Sequence, residues 1–305
     1  MLQVHFGLEL LAAEWDRAIA CIGTFDGVHL GHQEVIKTAV ELARERECPC
    51  VLVTFDRHPA HILAPDRCPK PIAALQANLA AFEALGVAVA IILPFDYALS
   101  QTSAEDFLSL NLKNAIHAQA IVVGHDFAFG HNRVGTPAWL SDRIETVVVP
   151  AFEIAGRRVS SSEIRRDIVE GKVEEAAHLL GRPFEIPGVI VAGQKLGRQL
   201  GYPTANLARS FDQVLPAYGI YSGEMELPQG KYRAAISIGT RPAVGGAAMT
   251  IEAYLLDYPG DSIYGAPVTL RLTGRLREER NFPSMDALKA QIALDVEQIR
   301  KFANI

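Results

Sequence analysis

The sequence predicts an α/β domain built on a parallel sheet, followed by a small antiparallel β-barrel with a C-terminal helix. Three observations carry this. Short β-branched runs alternate with helical patterns from Ala18 to about Pro150, Pro183 and Pro187 break a helical stretch, and from Gly188 to about Leu276 the chain is strand-like and turn-rich. Strands that alternate with helices make parallel sheets, because each crossover needs a helix, whereas consecutive short strands close on themselves. A chain of 305 residues with 49% hydrophobic residues has the apolar surface for two cores. Domains are expected at 1–183 and 184–305.

In the first domain the strands are read at AIACIG (18–23), CVLVTF (50–55), AVAIILPF (88–95), AIVVG (120–124) and TVVVP (146–150). Helices are expected near Gln33–Arg46, Ala73–Leu85 and Ala104–Ile116. In the first of these, Val35, Ala39, Leu42 and Ala43 share one face while Glu34, Lys37, Glu41 and Arg44 point away. The stretch 160–180 reads as two short helices split at Gly171, the first opened by a serine cap with Glu163 behind it. Barrel strands follow at GVIVAG, YGIYSGEMEL, YRAAISIG, TIEAYLLD and PVTLRLTGRL. Ser284 then caps a helix whose Leu288, Ile292, Val296 and Ile299 recur at helical spacing, so it is expected to pack on the barrel.

The net charge of -6 comes from acidic residues spread along the chain, and the isoelectric point is near 5.9. A polynucleotide partner calls for a basic face, so phosphate binding here is expected to be local and the ligands small. The four cysteines, Cys21, Cys48, Cys50 and Cys68, lie in the first quarter of a mid-sized chain, which fits a reducing compartment better than a disulfide framework. Cys48-Pro49-Cys50 has no second pair to complete a metal site, and Pro59 separates His58 from His61 in an HxxH pair. Residues 1–15 carry Glu9 and Glu14 among apolar residues, so neither a leader nor a membrane span is expected. A cytoplasmic enzyme or binding protein is the expectation.

The first chemical signal is the turn after AIACIG. GTFDGVHLGH puts Gly23, Gly27 and Gly31, with Thr24, Phe25 and Asp26, at the carboxyl end of a strand and before a helix, where open α/β sheets bind ligands. Glycines bring backbone close to phosphate oxygens, and a helix N-terminus offers N–H groups and a positive dipole end. His29 and His32 lie in the same turn, and imidazole suits charge building on an attacked phosphorus. Neither GxxxxGK[ST] nor GxGxxG occurs in the chain.

The HxGH turn resembles the phosphate site of the HIGH-type nucleotidyltransferase superfamily. VVGHDFAFGHNRVGT, GRRVSSSEIR and LLGRPFEIPG follow in the order seen in bacterial FAD synthetases, and the chain is identified by resemblance as a member of that bifunctional family from about Ala18 to Phe302. The resemblance implies an α/β nucleotidyltransferase domain before a riboflavin-kinase barrel. It makes His29 and His32 contacts to ATP phosphates, and brings Ser161, Ser162 and Arg165 over the triphosphate, where Arg165 neutralises charge. His58 is expected as a flavin or nucleotide contact, as are Asp126 and Phe127, which also read as a structural turn. Arg57 and Ala128 depart from the family pattern; Arg57 is expected to restore positive charge lost at Ala128.

GVIVAGQKLGRQLGYPTANL (188–207) resembles the nucleotide loop of riboflavin kinases. There Gly193, Gly197 and Arg198 are expected at phosphate, beside Lys195, with the Thr204 hydroxyl and Asn206 amide oxygen as Mg²⁺ contacts; the same residues also suit a Gly/Pro turn. GIYSGEMEL, AAISIGTRPAVGG, IEAYLLD and LREERNF follow in family order, with Ala243 and Ser262-Ile263 as departures. The resemblance makes Glu279 the base for the ribityl hydroxyl and Glu278 a solvated neighbour, and Arg277 is expected as a flavin or nucleotide contact. It implies riboflavin phosphorylation to FMN by Mg²⁺-ATP, then adenylylation of FMN to FAD with release of pyrophosphate, in a protein whose partners are ATP, riboflavin and FMN. The rivals are a monofunctional adenylyltransferase whose barrel only binds flavin, which would form no ADP from riboflavin, and a non-catalytic flavin-binding protein, which would show no turnover.

Overall fold

The computed structural model describes residues 1–8, 11, 13–193, 201–243, 246–260 and 262–301, and it divides into two compact units, Met1–Ser161 and Ser162–Ile305. The first holds six parallel strands: β1 (Gln3–Phe6), β2 (Ala18–Ile22), β3 (Cys50–Phe55), β4 (Val89–Leu93), β5 (Ala118–Gly124) and β6 (Glu145–Val149), in the order β1-β4-β3-β2-β5-β6. From β2 the chain winds outward through β3 and β4, then returns to the other side of β2 for β5. The sheet therefore changes winding direction between β2 and β5, and a crevice opens at their carboxyl ends. The edge strand β1 was not expected; four mostly exposed residues leave too short an alternation to read.

Both faces of the sheet are covered, so its central strands carry continuous apolar runs. All five residues of β2 are buried. Ala18, Ala20 and Ile22 share a core with Phe107, Leu108 and Leu112, whereas Ile19 and Cys21 belong to a second with Val35, Ile36, Ala39 and Phe82. Burying a side chain such as Ile36 stabilises by about 1.5–3 kcal/mol, which fixes the helix Leu30–Glu45 on the sheet. This helix starts three residues before the expected Gln33 because the His29 ring caps it, its Nδ1 accepting from the His32 N–H at 3.1 Å. Histidine is not among the usual cap residues, so pattern placed the start late. The expected helix 104–116 comprises Ala104–Asp106 and a π-helical Phe107–Ala115.

A two-stranded hairpin, β7 (Glu153–Ile154) with β8 (Arg157–Arg158), completes the first unit. The helices Ser161–Val169 and Val173–Leu180 flank Gly171, whose φ of 78° lets the chain reverse. Val173–Leu180 packs on β9 (Phe184–Val191) and β14 (Pro267–Arg277). With β10 (Thr204–Arg209), β11 (Gly219–Leu227), β12 (Gly230–Ala243) and β13 (Gly246–Leu255) these form a closed antiparallel barrel, ordered β10-β13-β12-β11-β14-β9. Phe184, Tyr221, Ile236, Ile238 and Leu270 are among its fully buried side chains. β10 was not foreseen as a strand, because TANLAR carries one β-branched residue and follows a Gly/Pro-rich segment. Ser284 caps the helix Met285–Lys301 as expected, its Oγ accepting from the Ala287 N–H at 3.1 Å. Ile292, Val296 and Ile299 pack with Ala235, Tyr254 and Leu276 of the barrel.

Candidate functional site

The glycine turn sits at the carboxyl end of β2, in the crevice. Gly31 is tight against His29, since a Cβ would come within 3.3 Å of the ring and 3.5 Å of Val159 O. The two imidazoles stack at 3.6 Å with 18° between their planes, and the Phe25 ring meets His32 edge-on at 5.3 Å. Because His29 Nδ1 accepts the His32 N–H, the neutral ring carries its proton on Nε2, the donor suited to a phosphate oxygen. Phe25 and Val28 both hold positive φ, 44° and 43°. For a β-branched residue this is strained by about 1–3 kcal/mol. Burial of Val28 and a 3.0 Å bond from Gln33 Nε2 to its carbonyl hold it there.

Other expected residues of this turn shape it. Asp26 accepts from the Ile72 and Ala73 N–H groups at 3.0 and 3.3 Å, Thr24 O accepts from Thr54 Oγ1 at 3.1 Å, and Phe25 is buried against Phe82. Ser161 Oγ donates to Asp26 O at 3.4 Å, bringing Ser161 to the turn. Ser162 and Arg165 belong to the second unit. Just past β5, Asp126 pairs with Arg158 at 2.6 Å, and Phe127 stacks on Phe129 at 5.6 Å. His58 Nδ1 accepts from the Ala60 N–H at the first residue of the helix Ala60–Leu63. Arg57 pairs with Asp56 at 2.7 Å; burial opposes ionisation of Asp56, but bonds from Arg57 and the Phe95 N–H outweigh it and hold the carboxyl below its usual range. Burial keeps Cys21 a thiol and pushes Cys50 up to about 12, so neither is a ready nucleophile. Among the described residues no cluster of three His, Cys, Asp or Glu forms a metal site.

On the barrel, strand register assembles the second site. Asn206 pairs with Glu252, Glu252 with Ser237, Ser237 with Ile220, and Ile220 with Arg277, a row across β10, β13, β12, β11 and β14. Ile236, Ile238, Ile251 and Ala253 point into the barrel, so Ser237, Gly239 and Glu252 face outward. Thr204 Oγ1 donates to Glu252 Oε2 at 3.1 Å. Sequence reading passed over Glu252: alternation marks it as outward-facing, but only the pairing shows it beside Asn206. Glu279 lies so close over Gly239 that a Cβ there would overlap its carboxylate. Ile220, Ser237, Arg277, Glu279, Phe282 and Leu288 help line a pocket of about 450 Å³. The Arg277 guanidinium binds Asp295 through Nε and Nη2 and the Glu278 carbonyl through Nη1. Gly193 lies against the Asn206 amide; Lys195, Gly197 and Arg198, and the side chain of Ala243, lie outside the described residues.

Two family models match, FAD synthetase over residues 11–163 and riboflavin kinase over residues 180–303. The bifunctional riboflavin kinase/FMN adenylyltransferase of Pseudomonas fluorescens is 36% identical over 99% of this chain and 98% of its own length. That of Escherichia coli K12 is 33% identical over 96% and 95%. The chain belongs to the bifunctional riboflavin kinase/FMN adenylyltransferase family. It phosphorylates riboflavin to FMN and adenylylates FMN to FAD, so the monofunctional and non-catalytic alternatives fall away. The same fold occurs in a Streptococcus pneumoniae structure described as a macrolide-efflux protein, with TM-score 0.91 and 31% identity over 99% of both chains. In this family member no helix among the described residues is long and apolar enough to cross a membrane.

Proposed function

We propose that the His29–His32 turn takes the triphosphate of the ATP used for FAD formation, and that the Asn206–Glu252–Ser237 row takes the ATP and riboflavin used for FMN formation. The stacked histidines in a glycine turn at the sheet's switch point carry the first assignment. There a phosphate oxygen of FMN attacks the α-phosphorus, the α–β bridging bond breaks, and pyrophosphate leaves. His29 Nε2–H, the turn N–H groups and the helix N-terminus stabilise the added charge, and Asp126 and Phe127 are assigned to the flavin or nucleotide. No protein nucleophile is required.

On the barrel, the donor set fits Mg²⁺: Thr204 Oγ1 donates a hydrogen bond to Glu252, which leaves its lone pairs for a cation, and the Asn206 amide oxygen is a second hard ligand. Bound with ATP, Mg²⁺ neutralises phosphate charge. The ribityl hydroxyl attacks the γ-phosphorus, the β–γ bridging bond breaks and ADP leaves, while a carboxylate takes the proton. Glu279 and Glu252 both face this side of the barrel, and the Thr204 bond favours Glu252, which lies where the phosphate must be held. The protein is further proposed to act in the cytoplasm on small molecules alone, in keeping with four free cysteines. Incubation with riboflavin, ATP and Mg²⁺, followed by chromatography, tests the assignment: FMN and then FAD should accumulate, and both should fail when Mg²⁺ is chelated.

A further inference from the structure

We infer that Asp295 and Gln291 of the C-terminal helix are positioning residues for riboflavin, holding the segment 277–282 that walls the pocket; this rests on the kinase reading of that pocket. Asp295 is 5% exposed although charged. Its carboxylate accepts from Arg277 Nε at 3.1 and 3.2 Å and from Nη2 at 2.8 Å. Gln291 Nε2 donates to Asp295 Oδ1 at 2.8 Å, and Gln291 Oε1 accepts from Arg280 Nη2. Arg277 Nη1 donates to the Glu278 carbonyl at 3.0 Å, and the Phe282 ring lies under the Arg277 and Arg280 guanidiniums at 5.7 and 5.1 Å.

Docking the helix does not need these polar groups. Ile292, Val296 and Ile299 already pack on the barrel, and a buried ion pair is weak as a stabiliser because desolvation offsets its attraction. What the polar contacts share is their target. Those that leave the helix end on Arg277 and Arg280, within a segment whose Arg277, Glu279, Arg280 and Phe282 face the pocket. The paired bonds from Asp295 fix the plane of Arg277. The remaining nitrogen fixes the Glu278 carbonyl, and so the direction in which Glu279 leaves the strand to lie over Gly239. Gln291 ties Arg280 to the same carboxylate, so the helix governs the whole wall. Thr204 and Asn206 lie on β10, four strands along the row from Arg277, and on the other side, across β9, Asn206 faces Val191 while Val189 faces Pro267, ten residues from Arg277. The device therefore acts on riboflavin and leaves the ATP ligands alone.

The test is steady-state kinetics of the full-length Asp295→Asn protein with riboflavin and ATP varied separately. KM for riboflavin should rise about tenfold or more and kcat should fall up to about 100-fold, since a misplacement near 1 Å costs about that much. KM for ATP should stay within about twofold, and FAD formation from supplied FMN should be unchanged. Gln291→Leu leaves the buried ion pair in place and should shift riboflavin KM in the same direction by a smaller factor. A kcat that falls only with the folded fraction, at constant KM for riboflavin, overturns the inference, as does an equal rise in both KM values. Ser237→Trp fills the pocket. If it leaves riboflavin KM unchanged, the pocket reading itself fails, whatever Asp295→Asn shows.

Discussion

Replacing Glu252 by glutamine separates the two carboxylates that compete to be the kinase base. Glu252 stands one strand from Asn206 and one from Ser237, steps of about 4.8 Å each, and its Oε2 is 3.1 Å from Thr204 Oγ1. Glutamine keeps an acceptor for that hydroxyl and nearly the same volume, so the barrel and Thr204 stay in place while the proton acceptor disappears. Losing a general base costs on the order of 10²–10⁴ in rate, which is about 3–5 kcal/mol of transition-state stabilisation. The assay follows FMN formed from riboflavin, with FAD formed from supplied FMN as the internal control. Glu252→Gln should collapse the first and spare the second. Glu279→Gln, run beside it, should have the smaller effect, and Glu278→Gln almost none, because that exposed side chain belongs to neither row nor pocket lining. If Glu252→Gln forms FMN at near-parental rate while Glu279→Gln does not, the geometric argument is refuted and Glu279 is the base.

His29→Asn keeps a side chain able to cap the helix Leu30–Glu45 but removes the imidazole, so FAD formation should fall on the order of 10²–10³-fold with FMN formation and melting temperature nearly unchanged; equal loss of both activities in folded protein contradicts separate sites. A fragment beginning at Ser162 should fold and phosphorylate riboflavin, whereas one beginning at Arg182 lacks the helix in which Val173, Leu179 and Leu180 are buried, and should lose roughly 5 kcal/mol of stability. Paired thermal melts decide this, and equal melting temperatures would show that the helix contributes nothing to the barrel. Tyr221 is fully buried, and that burial pushes its phenol up to about 12. Its folded pKa exceeds the unfolded value near 10, so its contribution is complete below about pH 10 and is lost as pH rises toward 12, about 2–3 kcal/mol in all. Denaturant titrations should show Tyr221→Phe lacking this alkaline loss, and a parent whose stability is flat over that range would refute the shift.

What the sequence could and could not reveal follows from how each feature is encoded. The parallel sheet was legible because strands such as β2 and β3 are buried on both faces and appear as unbroken apolar runs. The glycine turn was legible because conformational need and chemistry coincide in one short segment: the residues that permit close approach, Gly23, Gly27 and Gly31, surround the histidines that use it. Register is a different kind of information. Asn206, Glu252, Ser237 and Arg277 become one row only after four strand pairings are set, and no local pattern says which outward residue of one strand faces which of the next. Glu279 was named first because the family resemblance assigns it the role of base, and LREERNF stands in family order after the last strand. Glu252 was missed because it alternates with apolar residues inside a strand, where an outward glutamate looks like ordinary solvated surface. The Arg277–Asp295 pair was hidden for a related reason: Asp295 sits on the apolar side of an otherwise regular helix, and the same 3.6-residue period that located the helix assigned its core positions to aliphatic residues alone. A charged residue on such a face departs from the helix's own pattern, so the departures from periodicity, more than the periodicity, mark where the barrel's helix serves its chemistry.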